Sequence, residues 1–362
     1  MIFFDKYVSN TTAGSANQLF CRDRKGVGRV FYRLFQGGKF EYSFLFSNIV
    51  DSTFSTGAIS QKNHVCDEWK ISHLSWCVGK TCNPNELPQN GFCQLTFDGK
   101  KEKNVMPGEF FCTDDVEIEA ETGDFLCLEI AFEGAEIPFH QEINIPTFVL
   151  DNGVFVPHKK MPVPQMIGCN RCVKKRIAFL GDSITQGIGT PLNSYAHWNH
   201  LIAETLGAEY ACWNLGIGYA RTGDAASNGS WLFKAKQNDV VLVCLGVNDV
   251  MYGISAEEIK SNLQVIVRYL KEAGCAVVLQ TLPPFDYDPE KELRWREVNR
   301  YILEELSLEC TFVFDVVSIL GDAEQPTHAK FGGHPNGEGC RLWADALLPR
   351  LQNLFDIYES MN

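Results

Sequence analysis

The chain has 362 residues, 45% of them apolar and 21% charged, a length and balance that exceed one ordinary hydrophobic core and predict two soluble globular domains. Its 32 Lys and Arg against 45 Asp and Glu leave a formal net charge of −13, a field that repels phosphate backbones and anionic headgroups and so argues against nucleic-acid and membrane partners. No apolar run approaches the roughly 18 to 20 residues that span a bilayer, and Met1-Ile2-Phe3-Phe4-Asp5-Lys6 is charged too soon for a secretory signal, so a soluble cytoplasmic protein is expected.

From about Ile2 to Val156 the pattern is one of short strands and turns. Phe40 to Val50, Phe92 to Phe97, Val116 to Glu119 and Leu126 to Phe132 are rich in aromatic or β-branched residues, with no long helical period between them. Such spacing predicts an all-β sandwich or jelly roll over residues 1–160. The proline-rich stretch Val156 to Pro164 then reads as a stiff, extended connector.

Over residues 174–362 buried-looking strands alternate with helical patterns. Arg176 to Leu180, Glu209 to Asn214, Val240 to Gly246, Ala276 to Thr281 and Thr311 to Phe314 predict a parallel sheet covered by helices on both faces. One helix is expected over 256–273, because Ser255 and Glu258 form a capping box ahead of Ile259, Leu263, Ile266, Val267 and Leu270 on one face.

Fourteen cysteines are scattered through apolar runs such as Val243-Cys244-Leu245, which predicts reduced core thiols. Cys169-Asn170-Arg171-Cys172 is the spacing nearest to a zinc half-site, but no second pair accompanies it, and Cys77 and Cys82 are no better placed. Neither metal nor cofactor is expected.

Three short blocks follow separate elements of the second domain. Gly181-Asp182-Ser183 ends its first strand, Gly246-Val247-Asn248-Asp249 ends another, and His334-Pro335-Asn336 opens the last helix. In an open α/β sheet the carboxyl edge gathers ligands and catalytic groups. Each block alone is a turn or a cap; in this order, at the mouths of separate elements, they place a serine, an amide and an imidazole at one edge.

In these blocks the chain resembles the GDSL branch of the SGNH hydrolases, over residues 174 to 356. The resemblance implies a three-layer, flavodoxin-like domain with Ser183 as nucleophile and His334 as its base. It implies an oxyanion hole from the Ser183 N–H, a backbone N–H at Tyr219 or Gly218, and the Asn248 side chain. Asn214 to Tyr219 is similar to the family's second block, with Tyr219 where glycine is usual. The family's aspartate three residues before the histidine is replaced by Phe331. In this the chain resembles the family-2 carbohydrate esterases, in which a main-chain carbonyl serves instead and a β-sandwich precedes the hydrolase domain.

The activity implied is removal of O-acetyl or other short acyl groups from an oligosaccharide or small ester through a Ser-His dyad. A lipase or thioesterase, with an acyl groove near Phe285 and Trp231, and a carbohydrate-binding protein on an inactive scaffold are the alternatives. The carbonyl orienting His334 is expected in the 331–333 stretch, with Asp315, Asp322 or Glu338 as competing acids. Trp231 and Tyr252 are the leading candidates for substrate contact, with Trp198, Trp295 and His328 behind them, and Asp182 is expected to cap the serine turn.

Overall fold

The computed structural model describes residues 3–52, 54–55, 58–59, 62–87, 91–141, 144–322, 324 and 328–360, so Met1 and Ile2 of the N-terminal hexapeptide lie outside it. Up to Cys169 the chain is rich in antiparallel strands. β1 (Leu19–Arg33), β3 (Trp69–Gly79) and β4 (Phe125–Gln141) belong to an eight-stranded sheet in which β4 lies between the other two. β2 (Gly38–Ser47) and β5 (Met166–Cys169) pair within a five-stranded sheet. Alternation at Tyr42, Phe44 and Phe46 and at Leu126, Leu128 and Ile130 turns each set to one face, and both sets enter one buried cluster shared by the two sheets.

The strands are longer than their sequence patterns. Leu126 to Phe132 is the first half of β4, whereas Phe92 to Phe97 contains only the two-residue strand Cys93–Gln94. β1 hides in sequence because Arg22-Asp23-Arg24-Lys25-Gly26 reads as a polar turn. Its charges face β4, where Arg22 pairs with Glu136, Lys25 with Glu133 and Arg29 with Glu129. The proline-rich stretch is not a free connector: Val154–Pro157 and Lys160–Met161 are strands, and Met161 and Val163 are buried.

From Lys175 a five-stranded parallel sheet forms, of β6 (Lys175–Gly181), β7 (Tyr210–Gly216), β8 (Val240–Cys244), β9 (Ala276–Gln280) and β10 (Phe312–Phe314). Its order is β7-β6-β8-β9-β10. The order reverses at β6, and at that switch point the loops after β6, β7 and β8 diverge and leave a crevice at the carboxyl edge. The connecting elements are helical: α1 (Ser183–Gln186), α2 (Trp198–Leu206), α3 (Thr222–Ala226), α4 (Ser230–Ala235), α5 (Val247–Met251), α6 (Ala256–Glu272), α7 (Pro289–Glu304) and α8 (Gly337–Ser360). The Ser255 hydroxyl caps α6 by accepting from the Glu258 N–H at 3.2 Å, and the five apolar residues of the expected face are all buried.

The strand-rich region and the parallel sheet interlock. Phe3, Phe4, Tyr7, Ala16, Leu45 and Met166 are part of the core that surrounds the parallel sheet. Lys234 of α4 is fully buried and donates to Asp51 Oδ2 and Gln165 Oε1, each at 2.6 Å, while Ser230 Oγ donates to the other Asp51 oxygen. A buried charge persists only with such partners, since desolvation disfavours it by several kcal/mol. Among the described residues no helix is long and apolar enough to cross a membrane, and all fourteen cysteines are free thiols, with Cys169 buried and Cys172 exposed.

Candidate active site

β6 delivers the chain to the switch point through Gly181. A Cβ there would stand 2.1 Å from Thr185 Oγ1 and 2.5 Å from the Cys244 carbonyl oxygen, so only glycine lets the turn close against β8. Asp182 Oδ1 accepts from the Ile184 N–H at 2.9 Å and caps α1, as expected of it. Ser183 is the first residue of that helix, and Gly187, at φ +109°, ends it.

Ser183 Oγ lies 2.8 Å from His334 Nε2, across 151 residues of chain. Burial is what moves the His334 pKa, and it moves it down, favouring the neutral imidazole that can accept the serine proton. Two left-handed glycines, Gly332 and Gly333, lead into the histidine, and the Phe285 ring meets its edge at 5.5 Å. Gly189 supplies the opposing wall: a Cβ there would be 2.6 Å from the Pro335 oxygen and 2.9 Å from His334 Cβ.

Asn248, in the first turn of α5, donates one Nδ2 hydrogen to the Ala220 carbonyl at 3.0 Å. An amide carries two such hydrogens, so a second remains to be donated. The turn it grips is closed by the Ala220 N–H donating to the Ile217 oxygen, with buried Gly218 inside it and Tyr219 in the left-handed region at φ +64°. Tyr219 thus adopts the backbone for which glycine is usual. Below the turn, Asp249 accepts from the Thr222 N–H and hydroxyl at 2.9 and 2.6 Å. Burial pushes the carboxyls of Asp249 and Asp182 up to about 7.

Three of the sequence candidates belong elsewhere. Trp231 is 1% exposed in the core, where its indole donates to the Leu215 carbonyl at 2.8 Å, so its ring offers no platform to a substrate. Trp198 is stacked on Trp343 at 4.6 Å, and Trp295 donates to the Leu282 carbonyl; both are buried. Tyr252 is exposed and follows directly on α5, its N–H bonded to the Asn248 carbonyl. His328 is exposed, and its carbonyl accepts from the Asp322 N–H.

Among the described residues the His334 ring is hydrogen-bonded to Ser183. Among the described residues no hydrogen bond joins its Nδ1 to a carbonyl of 331–333, and no carboxylate lies within ion-pair distance of the ring. Asp315 instead accepts from the Thr281 hydroxyl and the Val317 N–H, bracing the end of β10. Glu338 is exposed at the start of α8. The Phe285 ring and the Gly189 backbone pack against the imidazole.

The strand-rich region reaches α1 from below. Gln186 Nε2 donates to the Gln141 carbonyl at 3.1 Å and to His140 Nε2 at 3.0 Å, while His140 Nδ1 lies 2.6 Å from the Ala16 oxygen. His140 is fully buried and its pKa falls to about 4, which keeps the ring neutral, a donor at one nitrogen and an acceptor at the other. The Asn144 amide donates to the Gly187 carbonyl, and Asn199 Nδ2 to that of Thr185 at 2.6 Å. None of these residues forms a motif; the polar pair His140-Gln141 closing an apolar strand is the one local sign of them.

Known proteins of several kinds resemble the chain, three of them as follows. An arylesterase of Vibrio mimicus is 29% identical over 115 residues, 30% of this chain; the match spans 56% of that relative's own length. A family two carbohydrate esterase from Cellvibrio japonicus is similar over 97% of this chain and 95% of its own, at 14% identity and a TM-score of 0.40. A carbohydrate acetylesterase family member from Sinorhizobium meliloti is similar over 49% and 97% respectively, at 18% identity and a TM-score of 0.39. Residues 179–342 match the model of the GDSL-like Lipase/Acylhydrolase family.

Proposed function

We propose that the protein is a carboxylic ester hydrolase that removes O-acetyl or other short acyl groups from carbohydrate through Ser183 and His334. The observation that carries this reading is the 2.8 Å contact between Ser183 Oγ and His334 Nε2 at the switch point of the sheet. His334 takes the serine proton as Oγ attacks the ester carbonyl. The developing oxyanion is met by the Ser183 N–H, the Asn248 amide, and an N–H of Tyr219 or Gly218. The imidazolium returns the proton to the departing alcohol, and water, activated by the same ring, then releases the acid from the acyl-enzyme.

The carbohydrate part of the proposal rests on the missing carboxylate at position 331, where this chain has phenylalanine, and on the strand-rich region ahead of the parallel sheet, the two features in which the chain resembles the family-2 carbohydrate esterases. In this reading residues 1–160 are a β-sandwich accessory domain, residues 174–362 the hydrolase domain, and Tyr252 a substrate contact beside Asn248. The acyl-groove alternative loses one of its two walls, since Trp231 is core.

Hydrolysis of p-nitrophenyl acetate by the full chain, compared with Ser183→Ala, tests the reaction. Loss of a nucleophile costs about a thousandfold or more, so a variant within about tenfold of the parent rate overturns the assignment. A panel of acetylated oligosaccharides followed by NMR tests the substrate: deacetylation slower than that of the aryl ester on every sugar would refute the carbohydrate reading.

A further inference from the structure

We propose that His64, Cys66 and Glu136 form a binding site for a zinc-class divalent cation, remote from Ser183 in sequence and on the other sheet system. Their ligand atoms all lie within 4.8 Å of one another, and His64 Nε2 is 2.6 Å from Glu136 Oε2. With bonds of roughly 2.0 to 2.3 Å, tetrahedral zinc places its ligands about 3.3 to 3.8 Å apart, so the His64–Glu136 pair opens by about 0.7 Å and the sulfur closes in by at most about 1 Å to seat the ion. The donor set is one thiolate, one imidazole and one carboxylate. That set suits zinc or cobalt(II) and is too soft for magnesium or calcium.

The surroundings are built as a metal site's outer shell is built. Asn48 fixes the backbone of Cys66 from both sides: its carbonyl accepts from the Cys66 N–H at 3.3 Å, and its side-chain amide donates to the Cys66 carbonyl at 3.2 Å. The Phe20 ring stacks on His64 at 4.3 Å and sets the imidazole plane. Arg22 Nε binds Glu136 Oε1 at 3.3 Å, which turns the other oxygen, Oε2, toward the histidine. Cys66 is fully buried and Glu136 nearly so, whereas His64 is part-exposed and gives the ion a way in.

Charge balances as well. Burial and the Glu136 carboxylate together hold the Cys66 thiol far above its ordinary pKa, so without a cation the sulfur keeps its proton. On binding, the S–H bond breaks, a sulfur–metal bond forms, and the proton leaves to solvent. The imidazole keeps one proton, on the nitrogen turned away from the ion. Thiolate and carboxylate then neutralise the two positive charges, and the buried site carries no net charge. The fourth position of the tetrahedron is left for water.

The site also has something to hold. His64 and Cys66 close a segment whose preceding residues reach the hydrolase region, where Lys62 Nζ donates to the Gly223 carbonyl at 3.3 Å and Asn63 Nδ2 to Ser227 Oγ at 2.9 Å. The cation would clamp that segment to β4.

The test is cobalt(II) added to the chelator-stripped full chain. One equivalent should bring up a thiolate-to-cobalt charge-transfer band in the near ultraviolet, displaced by one equivalent of zinc. Cys66→Ala should abolish the band, and His64→Gln and Glu136→Gln should weaken zinc binding roughly a hundredfold, each keeping the parent's circular dichroism. No band, or a band that survives Cys66→Ala unchanged, overturns the proposal. Should Cys66→Ala not fold, unaltered zinc affinity in both other variants overturns it equally.

Discussion

Gly189→Ala tests whether the catalytic pair is set by contact between the loop after α1 and the segment that carries the histidine. The new Cβ would stand 2.6 Å from the Pro335 oxygen and 2.9 Å from His334 Cβ, whereas real Cβ contacts are essentially never under 3.0 Å and are comfortable from 3.4 Å. The 334–335 segment must therefore retreat by about 0.4 to 0.8 Å. Ser183 opens the short helix that leads into the Gly189 loop, so a retreat of the 334–335 segment from that loop opens the 2.8 Å contact to about 3.2 to 3.6 Å, the limit of a hydrogen bond. A misplacement near 1 Å costs about a hundredfold, and kcat for p-nitrophenyl acetate should fall about 10- to 100-fold with KM little changed. Gly207→Ala is the control, for Gly207 is also left-handed, at φ +76°, but has nothing within 4 Å of its Cβ position. It should lose on the order of 1 kcal/mol of stability and keep its kcat within about twofold. Should Gly189→Ala, shown to be folded, keep kcat within threefold of the parent, the packing account of His334 fails.

Asn248→Ala should lower kcat about 10²- to 10³-fold while Ser183 still takes up a phosphonate inhibitor, because one oxyanion donor among several is removed; an unchanged kcat places the hole elsewhere. The acid limb of kcat/KM should have its midpoint below the ordinary imidazole value of about 6.5. Burial lowers the His334 pKa, and the rate, which needs the neutral ring, is lost only as pH falls through that lowered value. A midpoint above about 6.5 would mean that an acid stabilises the imidazolium after all. Lys234→Met should destabilise the protein by about 3 to 5 kcal/mol by leaving Asp51 buried without its cation. With an unfolding entropy of roughly 2.1 cal/mol/K per residue over 362 residues, that lowers Tm by about 4 to 7 °C. A loss under 1 kcal/mol in urea titration would contradict the buried pairing.

The meeting of Ser183, Asn248 and His334 at one edge of the sheet was legible in sequence because its parts are local. Gly181 and Ser183 stand in the turn that β6 makes, Asn248 in the turn after β8, and His334 before a proline, so each block betrays its place by its neighbours. The α6 helix was legible for the same reason, since Ser255 and Glu258 lie within one turn of each other. What lay hidden depends on partners far along the chain. The charges of β1 look like a solvated turn until Glu129, Glu133 and Glu136 are set opposite them. Tryptophan suits a core as well as a sugar platform, and only the packing against Leu215 decides for Trp231. His140 and Gln186 meet across 46 residues and follow no spacing rule.

The grip of His140, Gln141 and Asn144 on α1, with the Lys234–Asp51 pair, constrains how such a chain can change over time. A module joined by a free tether can be exchanged or discarded whole. Here a substitution at Gln186 strands His140, and one at Asp51 strands Lys234, so the two portions must accumulate changes in matched pairs across their contact. A foreign parallel-sheet half spliced after residue 174 would arrive with none of those matches, and would leave polar groups of the resident half buried without partners. Inheritance as a single unit follows from the hydrogen bonds themselves.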